Sequence, residues 1–520
     1  MTEEIQKIVM EAEKAKVWLK EADHVRVVSH YDADGITSAS IMAKTLVRMG
    51  KDFHLSMVKQ LSSRVLESLA HEKRRLYVFL DMGSGQIEGI KKTLAGSRVI
   101  ICDHHQPGGD ANESVVHINS TLAGIENSIS GSGVTYLFCK TLNPINEDLS
   151  QLAVIGAIGD SQIDAIGLNW GLSGPNKIIL KSAEAQSKIR VSKGLRLWGR
   201  YTRPLHKALA YSIDPHIPGI SGSESASIQF LTDLGIPTKK GDDWRTIADL
   251  TTEEQKTLAS GMIKERVRAN QENPEYIFGD VYDLLDKEGD FRDANEFATI
   301  LNACGKMGQA SLGVALCLNV KDAFPKVKDI FESYRREIGK GISWIEANLK
   351  NPDIVKDMTG VYVFAGDNVS EHMISNVISV ISHSGLLPAK PLFGIANAED
   401  GIKISARAHD SLVNNGLKLN EIMSSVAGQL GGEGGGHMGA AAAVIPRERQ
   451  EEFINMTELI LTSIIGENNG HEEQAKTEGR CGSPEERSDA GEGSQAGRHG
   501  GREDTTQKME RKGLVQYIGS

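Results

Sequence analysis

Over the first 190 residues, short unbroken apolar runs alternate with amphipathic stretches. Runs at 25–29, 53–57, 76–80 and 98–102 have the length and continuity of strands buried on both faces. Helical periodicity fills the gaps between them, so this segment predicts an α/β domain with a parallel sheet covered on both sides. From about 190 to 350 the pattern turns mostly helical, ends in a charged helix over 325–350, and reads as an inserted domain. Strand signals return at 361–365, 392–396, 402–407 and 440–445, with helices expected near 370–384 and 419–430 and a last one over 447–465. That is a second, smaller α/β domain. The expected division is therefore 1–190, 191–350, 351–465 and 466–520, the last stretch being so poor in apolar residues that disorder is expected.

What ends each apolar run is unusual. The first stops in His30-Tyr31-Asp32-Ala33-Asp34-Gly35. In extended backbone, side chains at i, i+2 and i+4 share a face, so His30, Asp32 and Asp34 point together from the carboxyl end of a strand. Ligands of open α/β sheets bind at that end. Later runs stop in Asp81, in Asp103-His104-His105 and in Asp160. Each cluster alone also reads as a turn, a helix cap or a solvated loop. Four in one segment carry more weight. The carboxylates Asp32, Asp34, Asp81 and Asp160 with the imidazoles His30 and His104 suit two divalent ions, one carboxylate bridging. Hard oxygen donors mixed with imidazole favour Mn2+ or Mg2+. Paired ions of this kind serve in-line phosphoryl displacement, so metal-dependent phosphoester hydrolysis is the expected reaction class.

The order His-x-Asp-x-Asp-Gly, Asp81, Asp103-His104-His105, Asp160 resembles the DHH phosphoesterase superfamily. The glycine-rich run from Gly431 to His437, with Ile402 to Arg407 upstream, resembles the signature of that family's accessory C-terminal domain. Segments 198–205 and 295–305 are similar to the archaeal RecJ-like exonucleases, which include the nuclease that associates with the GINS replication complex. The resemblance implies a catalytic DHH domain at 1–190 and a DHH-associated, substrate-binding domain at 351–465. It implies one metal on His30, Asp32 and Asp81 and a second on Asp34, Asp81, His104 and Asp160. His105 would face the scissile phosphate, and Asp103 would orient an imidazole. Arg407, Gly434, Gly435, Gly436 and His437 would hold a strand of single-stranded DNA or RNA. The implied activity is exonucleolytic, 5′→3′ on single-stranded DNA in replication or repair. Trimming of RNA from the 3′ end, cleavage of short oligonucleotides or cyclic dinucleotides, and a replisome scaffold stay open beside it, as does a GINS-type partner.

Composition adds constraints. No apolar run approaches the roughly 18 residues of a membrane span. A charged, helix-patterned N-terminus does not read as a secretory signal, and five scattered cysteines show no paired spacing, so a reduced, cytoplasmic setting is expected. A net charge of −11 is unfavourable for a polyanion ligand. Between 177 and 207, however, nine Lys and Arg residues face Glu184 as the only acid, with Trp198 and Tyr201 interleaved. Cations and rings together are what a single-strand binder needs, although a solvated helix face with two anchoring aromatics reads the same way. The apolar patch at 513–518 is more readily a tail end than a docking peptide.

Overall fold

The computed structural model describes residues 2–478 apart from 126–128, 167–168, 213–214, 270, 272, 385 and 400. The rest of the polar tail, with Cys481 and the 513–518 patch, lies outside the described residues. The chain forms two compact units, Met1–Arg336 and Glu337–Ser520.

The four expected strands of the first unit are β1 His24–His30, β2 Asp52–Val58, β3 Leu76–Leu80 and β4 Arg98–Asp103. A fifth, β5 Val115–Asn119, escaped the pattern because His117 and Asn119 break a run of only five residues. All pair in parallel in the order β2-β1-β3-β4-β5. Alternate side chains go to opposite faces. Val27, Val78, Leu80, Ile100 and Cys102 join a core with helix α1, Glu3–Glu21, and helix α2, Ala33–Arg48. Val28, Tyr77, Phe79, Val99 and Ile101 build a smaller core beneath the helices Ser63–His71 and Ile87–Thr93. Burying each such side chain contributes about 1.5–3 kcal/mol. The strand order reverses between β1 and β3, which makes their carboxyl ends the switch point where such sheets bind ligands.

Farther along, β6 Ile163–Ile166, β7 Asn169–Leu172, β8 Ile189–Leu195 and β11 Phe278–Leu284 form a second sheet ordered β6-β7-β11-β8. A small hairpin, β9 Lys239–Lys240 with β10 Asp243–Trp244, lies between β8 and β11 in sequence. Helices Leu205–Ala210, Glu224–Asp233 and Thr252–Arg268 pack around their own core of Leu205, Leu209, Leu231, Leu258 and Met262. The helix Ala294–Lys306 instead sends Phe297, Leu301 and Cys304 into the large core beneath the first sheet.

In the second unit, β12 Val355–Asp357, β13 Val361–Gly366, β14 Leu392–Ala398, β15 Gly401–Arg407, β16 Glu433–His437 and β17 Ala440–Ile445 form one sheet ordered β12-β13-β14-β15-β17-β16. Two of these strands, β12 and β16, were not anticipated. The glycine run is thus an edge strand, because its backbone pairs with β17 from Glu433 to His437 although glycine has low strand propensity. The last helix runs Gln450–Glu478, beyond the expected end at 465.

Candidate metal centre

The carboxyl ends of β1, β3 and β4 and the end of the helix Ser150–Gly159 converge. Asp32 is the N-cap of α2, where its Oδ1 accepts the Gly35 N–H at 2.9 Å, leaving Oδ2 2.9 Å from His30 Nδ1. Asp34 lies in the first turn of α2 and is buried. Its carboxylate accepts the N–H groups of Gly131 at 2.7 Å and Ser132 at 3.0 Å, at the start of the helix Gly131–Leu142. That helix end carries partial positive charge, which favours a carboxylate there. Asp81 takes φ +56°, a left-handed conformation that costs a side chain about 1–2 kcal/mol. The turn keeps Asp81 N–H on the Cys102 carbonyl, at 2.8 Å, while aiming the carboxylate between two imidazoles. Its Oδ2 is 3.6 Å from His30 Nδ1 and its Oδ1 is 3.4 Å from His104 Nε2. His104 Nε2 is also 3.9 Å from Asp34 and 3.6 Å from Asp160.

The structure therefore brings all six expected ligands together. His30, Asp32 and Asp81 form one group and Asp34, His104 and Asp160 another, with the donor atoms of each within 4.8 Å of one another. Two of these atoms, Asp81 Oδ1 and His104 Nε2, are buried with no hydrogen-bond partner. Buried polar atoms are normally satisfied, and a cation held between the pair would satisfy both. Gly131 keeps the space open, since a Cβ there would lie 2.6 Å from Asp81 Oδ1. Oxygen and imidazole donors around such a gap fit a divalent ion of the Mn2+ or Mg2+ type.

Charge crowding shows in the protonation of the group. Burial, with Asp81 and Asp160 nearby, pushes Asp34 well above the carboxylate range. Burial beside the same cluster pushes Asp160 up to about 6. Burial also opposes charge on His30 and His104, but Asp32 and Asp81 outweigh it at His30, and Asp81, Asp160 and Asp34 at His104, raising both imidazoles well above their ordinary value. For Asp81, burial is outweighed by the two nearby imidazoles of His104 and His30, which hold it well below the carboxylate range.

Asp103 and His105 sit beside this cluster. Asp103 Oδ1 accepts the His104 and His105 N–H groups at 2.8 and 3.2 Å and lies 2.7 Å from His105 Nδ1, while Oδ2 accepts the Ser84 N–H at 2.9 Å. The loop is thereby clamped and the His105 ring oriented with Nε2 left for other partners. Desolvation of His105 is outweighed by Asp103, which raises the imidazole to about 9.

Several supporting residues were not anticipated. Asn302 Oδ1 accepts the Ala33 N–H at 2.8 Å from 269 positions away. Gly305, one turn on, lies so close to the Tyr31 carbonyl that any side chain would collide with it. Gln162 donates to Asp160 at 2.7 Å and accepts from Asn176 at 2.6 Å. Asn302 and Gly305 belong to the 295–305 segment, so that segment carried a signal. The glycine-serine start at 131–133 carried none that periodicity could read.

The basic stretch from 177 to 207 is less free than its sequence suggests. β11 lies antiparallel to β8 and sets Asp283 opposite Arg190, paired at 3.1 Å, and Asp280 opposite Lys193, also ion-paired. Tyr201 donates to Asp283 at 2.6 Å, and the Trp198 ring packs on Phe331. Cross-strand neighbours some 90 residues away neutralise part of the stripe, which a count along the chain cannot show.

In the second unit, registry aligns Arg407 with Ala440 and Ala440 with His437, across β15, β17 and β16. Residues directly opposite share a face, so Arg407 and His437 flank Ala440 about two strand spacings, or roughly 10 Å, apart. Arg407 Nη1 donates to the Ala406 carbonyl at 2.8 Å, and its half-buried guanidinium is also 3.3 Å from the Ser375 carbonyl. Gly435, Gly436 and His437 are exposed on the edge strand.

Residues 24–158 match the DHH family N-terminal domain, 197–276 the DHH-CID domain and 357–463 the DHHA1 domain. The uncharacterized protein MJ0831 of Methanocaldococcus jannaschii is 33% identical over 89% of this chain and 98% of its own length. The chain belongs to the DHH family. Within it the chain is RecJ-like. The single-stranded-DNA-specific exonuclease RecJ of Thermus thermophilus is 28% identical over 41% of this chain, and only 34% of that relative is covered. Its crystal structure in complex with Mn2+ matches with a TM-score of 0.54 at 18% identity, covering 87% of this chain and 55% of that one. CDC45 from Entamoeba histolytica shares the fold with a TM-score of 0.60 at 12% identity, over 87% of this chain and 99% of that one. The DHH and RecJ-like resemblance read from the motifs holds, and so does the α/β architecture. No helix among the described residues is long and apolar enough to cross a membrane.

Proposed function

We propose that this RecJ-like DHH protein is a divalent-metal-dependent exonuclease that degrades single-stranded DNA from the 5′ end. One observation carries the hydrolytic part: Asp81 Oδ1 and His104 Nε2 meet, buried and unsatisfied, among four more carboxylate and imidazole ligands at the sheet's switch point. The similarity to single-stranded-DNA-specific exonucleases supports the substrate. His30, Asp32 and Asp81 would hold one ion and Asp34, Asp81, His104 and Asp160 the other, Mn2+ being the preferred metal. Two such ions, when bound, supply Lewis-acid polarisation of the phosphoryl group and an activated water. His105, held at Nδ1 by Asp103, directs Nε2–H toward the phosphate and stabilises charge that develops on its oxygens. Arg407 and His437, with the glycine edge strand at Gly434, Gly435 and Gly436, bind the strand's phosphates.

Digestion of 5′- and 3′-end-labelled single-stranded DNA and RNA with Mn2+ tests this. Mononucleotides released from the 5′ end of DNA are expected, and none in EDTA. Release from the 3′ end of RNA would replace the substrate and polarity. Cleavage confined to dinucleotides would replace the class. A GINS-type partner belongs to the same proposal and is checked by co-elution with the purified complex.

A further inference from the structure

β5 ends beside the loop that carries His104 and His105. Registry sets Asn119, its last residue, opposite Asp103, and His117 opposite Ile101. Asn119 and His117 share one face of the strand. The Asn119 side chain is buried and its amide is fully engaged. Oδ1 accepts the Leu122 N–H at 3.1 Å, which leaves both amide protons on Nδ2. One goes to the His105 carbonyl at 2.9 Å and the other to Ser84 Oγ at 2.8 Å. Ser84, itself buried, is braced in turn: Oγ lies 2.8 Å from His117 Nε2, and its carbonyl accepts the Gly108 N–H at 2.8 Å. Thr121 Oγ1 donates to the His104 carbonyl at 3.2 Å.

Both histidines thus have their backbone polar groups held by side chains. Asp103 takes the two N–H groups, and Thr121 and Asn119 take the two carbonyls. Asp103 holds the peptide before His105, and Asn119 holds the peptide after it. With both planes fixed, the direction of the His105 Cα–Cβ bond is fixed too, and Asp103 on Nδ1 then sets the ring. The His105 side chain is 58% exposed, so packing does little to hold it and the hydrogen bonds must. A displacement of about 1 Å in a group that acts on a reacting atom can cost a hundredfold in rate. Capping the short helix Ser120–Ala123 uses only Oδ1 of Asn119 and explains neither of the bonds from Nδ2.

We propose that Asn119, braced by Ser84 and His117, is a positioning residue that fixes His105 toward the phosphate. The inference rests on the hydrolytic reading above and deepens it. The test measures kcat and KM of the full chain with Mn2+ on single-stranded oligo-dT and on bis(p-nitrophenyl) phosphate, a diester that needs no strand binding. Asn119→Ala is expected to lower kcat at least about tenfold on both, with KM and calorimetric Mn2+ affinity within about twofold of wild type. Asn119→Ser, which keeps a capping oxygen but is too short to reach His105, should lose as much. In a His105→Ala background, Asn119→Ala should change kcat by no more than about twofold, because the residue it positions is gone. In metal-free Asn119→Ala protein, amide exchange over 104–109 should quicken at least about tenfold while β4 exchanges as in wild type. Wild-type kcat in a folded Asn119→Ser protein, losses that multiply in the double variant, or a parallel loss of Mn2+ affinity would overturn the proposal. Where the Asn119 variants fail to fold, Ser84→Ala, which removes only the brace, decides by the same split between kcat and KM. A wild-type protein that cuts the diester and no strand rejects the nuclease, and the diester kcat values then decide the positioning. One that cuts neither rejects both.

Discussion

His104 Nε2 faces Asp81 Oδ1 across 3.4 Å, and neither atom has a hydrogen-bond partner. A cation between them satisfies both. Asp81→Asn keeps the volume and removes the charge, so Mn2+ affinity by titration calorimetry should fall by about a hundredfold or more, with nuclease activity lost. Unchanged Mn2+ affinity would remove Asp81 from the ligand set.

Gly131→Ala crowds the metal centre. The new Cβ would lie 2.6 Å from Asp81 Oδ1, 2.8 Å from its Cβ and 3.0 Å from its Cα, so both the carboxylate and the turn that carries it must shift. Alanine is the better helix former by about 1 kcal/mol, which offsets part of that cost. At least about tenfold weaker Mn2+ binding, with a net loss of about 1–3 kcal/mol in thermal unfolding, is the expected combination.

Asn302→Ala leaves the Ala33 N–H without its acceptor at the entrance to α2. A loss of about 1–3 kcal/mol in denaturant unfolding should result. Asn302→Asp, which keeps an acceptor oxygen, should recover most of it. Equal losses in both variants would assign the effect to packing.

Glu296 is buried beside Asp293, and burial together with that neighbour pushes its carboxyl up to about 8. The folded state therefore holds a proton that the unfolded chain has lost near pH 4–5. The resulting stability is complete below that range and disappears as pH rises toward about 8. Each pH unit in the window costs about 1.4 kcal/mol at most. Glu296→Gln should flatten this decline in urea melts between pH 5 and 9, while its amide oxygen still accepts the Gly199 and Arg200 N–H groups. An unaltered pH profile would place the titration elsewhere.

Arg407 and His437 occupy one row of the second sheet. If they grip phosphates, Arg407→Gln and His437→Ala should each raise KM for single-stranded DNA by about tenfold or more and leave kcat close to wild type. A fall in kcat at constant KM would instead give them a part in the chemical step.

Chain pattern alone revealed the strand-end chemistry, for a simple reason. A parallel strand buried on both faces must be apolar along its length, so the polar residues that follow it stand out. His30, Asp32, Asp81 and His104 were legible in that way. So was the sheet they end, although β5 was lost with only five residues and two polar side chains inside it. Asp34 was expected on one extended face with His30 and Asp32, but the strand ends at His30 and Asp34 lies in the first turn of α2; Asp160 caps the end of the helix Ser150–Gly159.

Tertiary packing decided the rest. Periodicity describes neighbours within a few residues. Asn302 meets Ala33, Asp283 meets Arg190 and Gly131 meets Asp81 through strand registry and helix packing, across separations of 269, 93 and 50 residues along the chain. The glycine run shows the same limit. Its composition reads as a loop, yet pairing with β17 makes it an edge strand, because backbone hydrogen bonds to a neighbour outweigh the low strand propensity of glycine. Sequence determined which chemical groups this protein carries at its strand ends. Only the fold determined which of them share one buried, unsatisfied centre, since that depends on which distant backbones pack against each other.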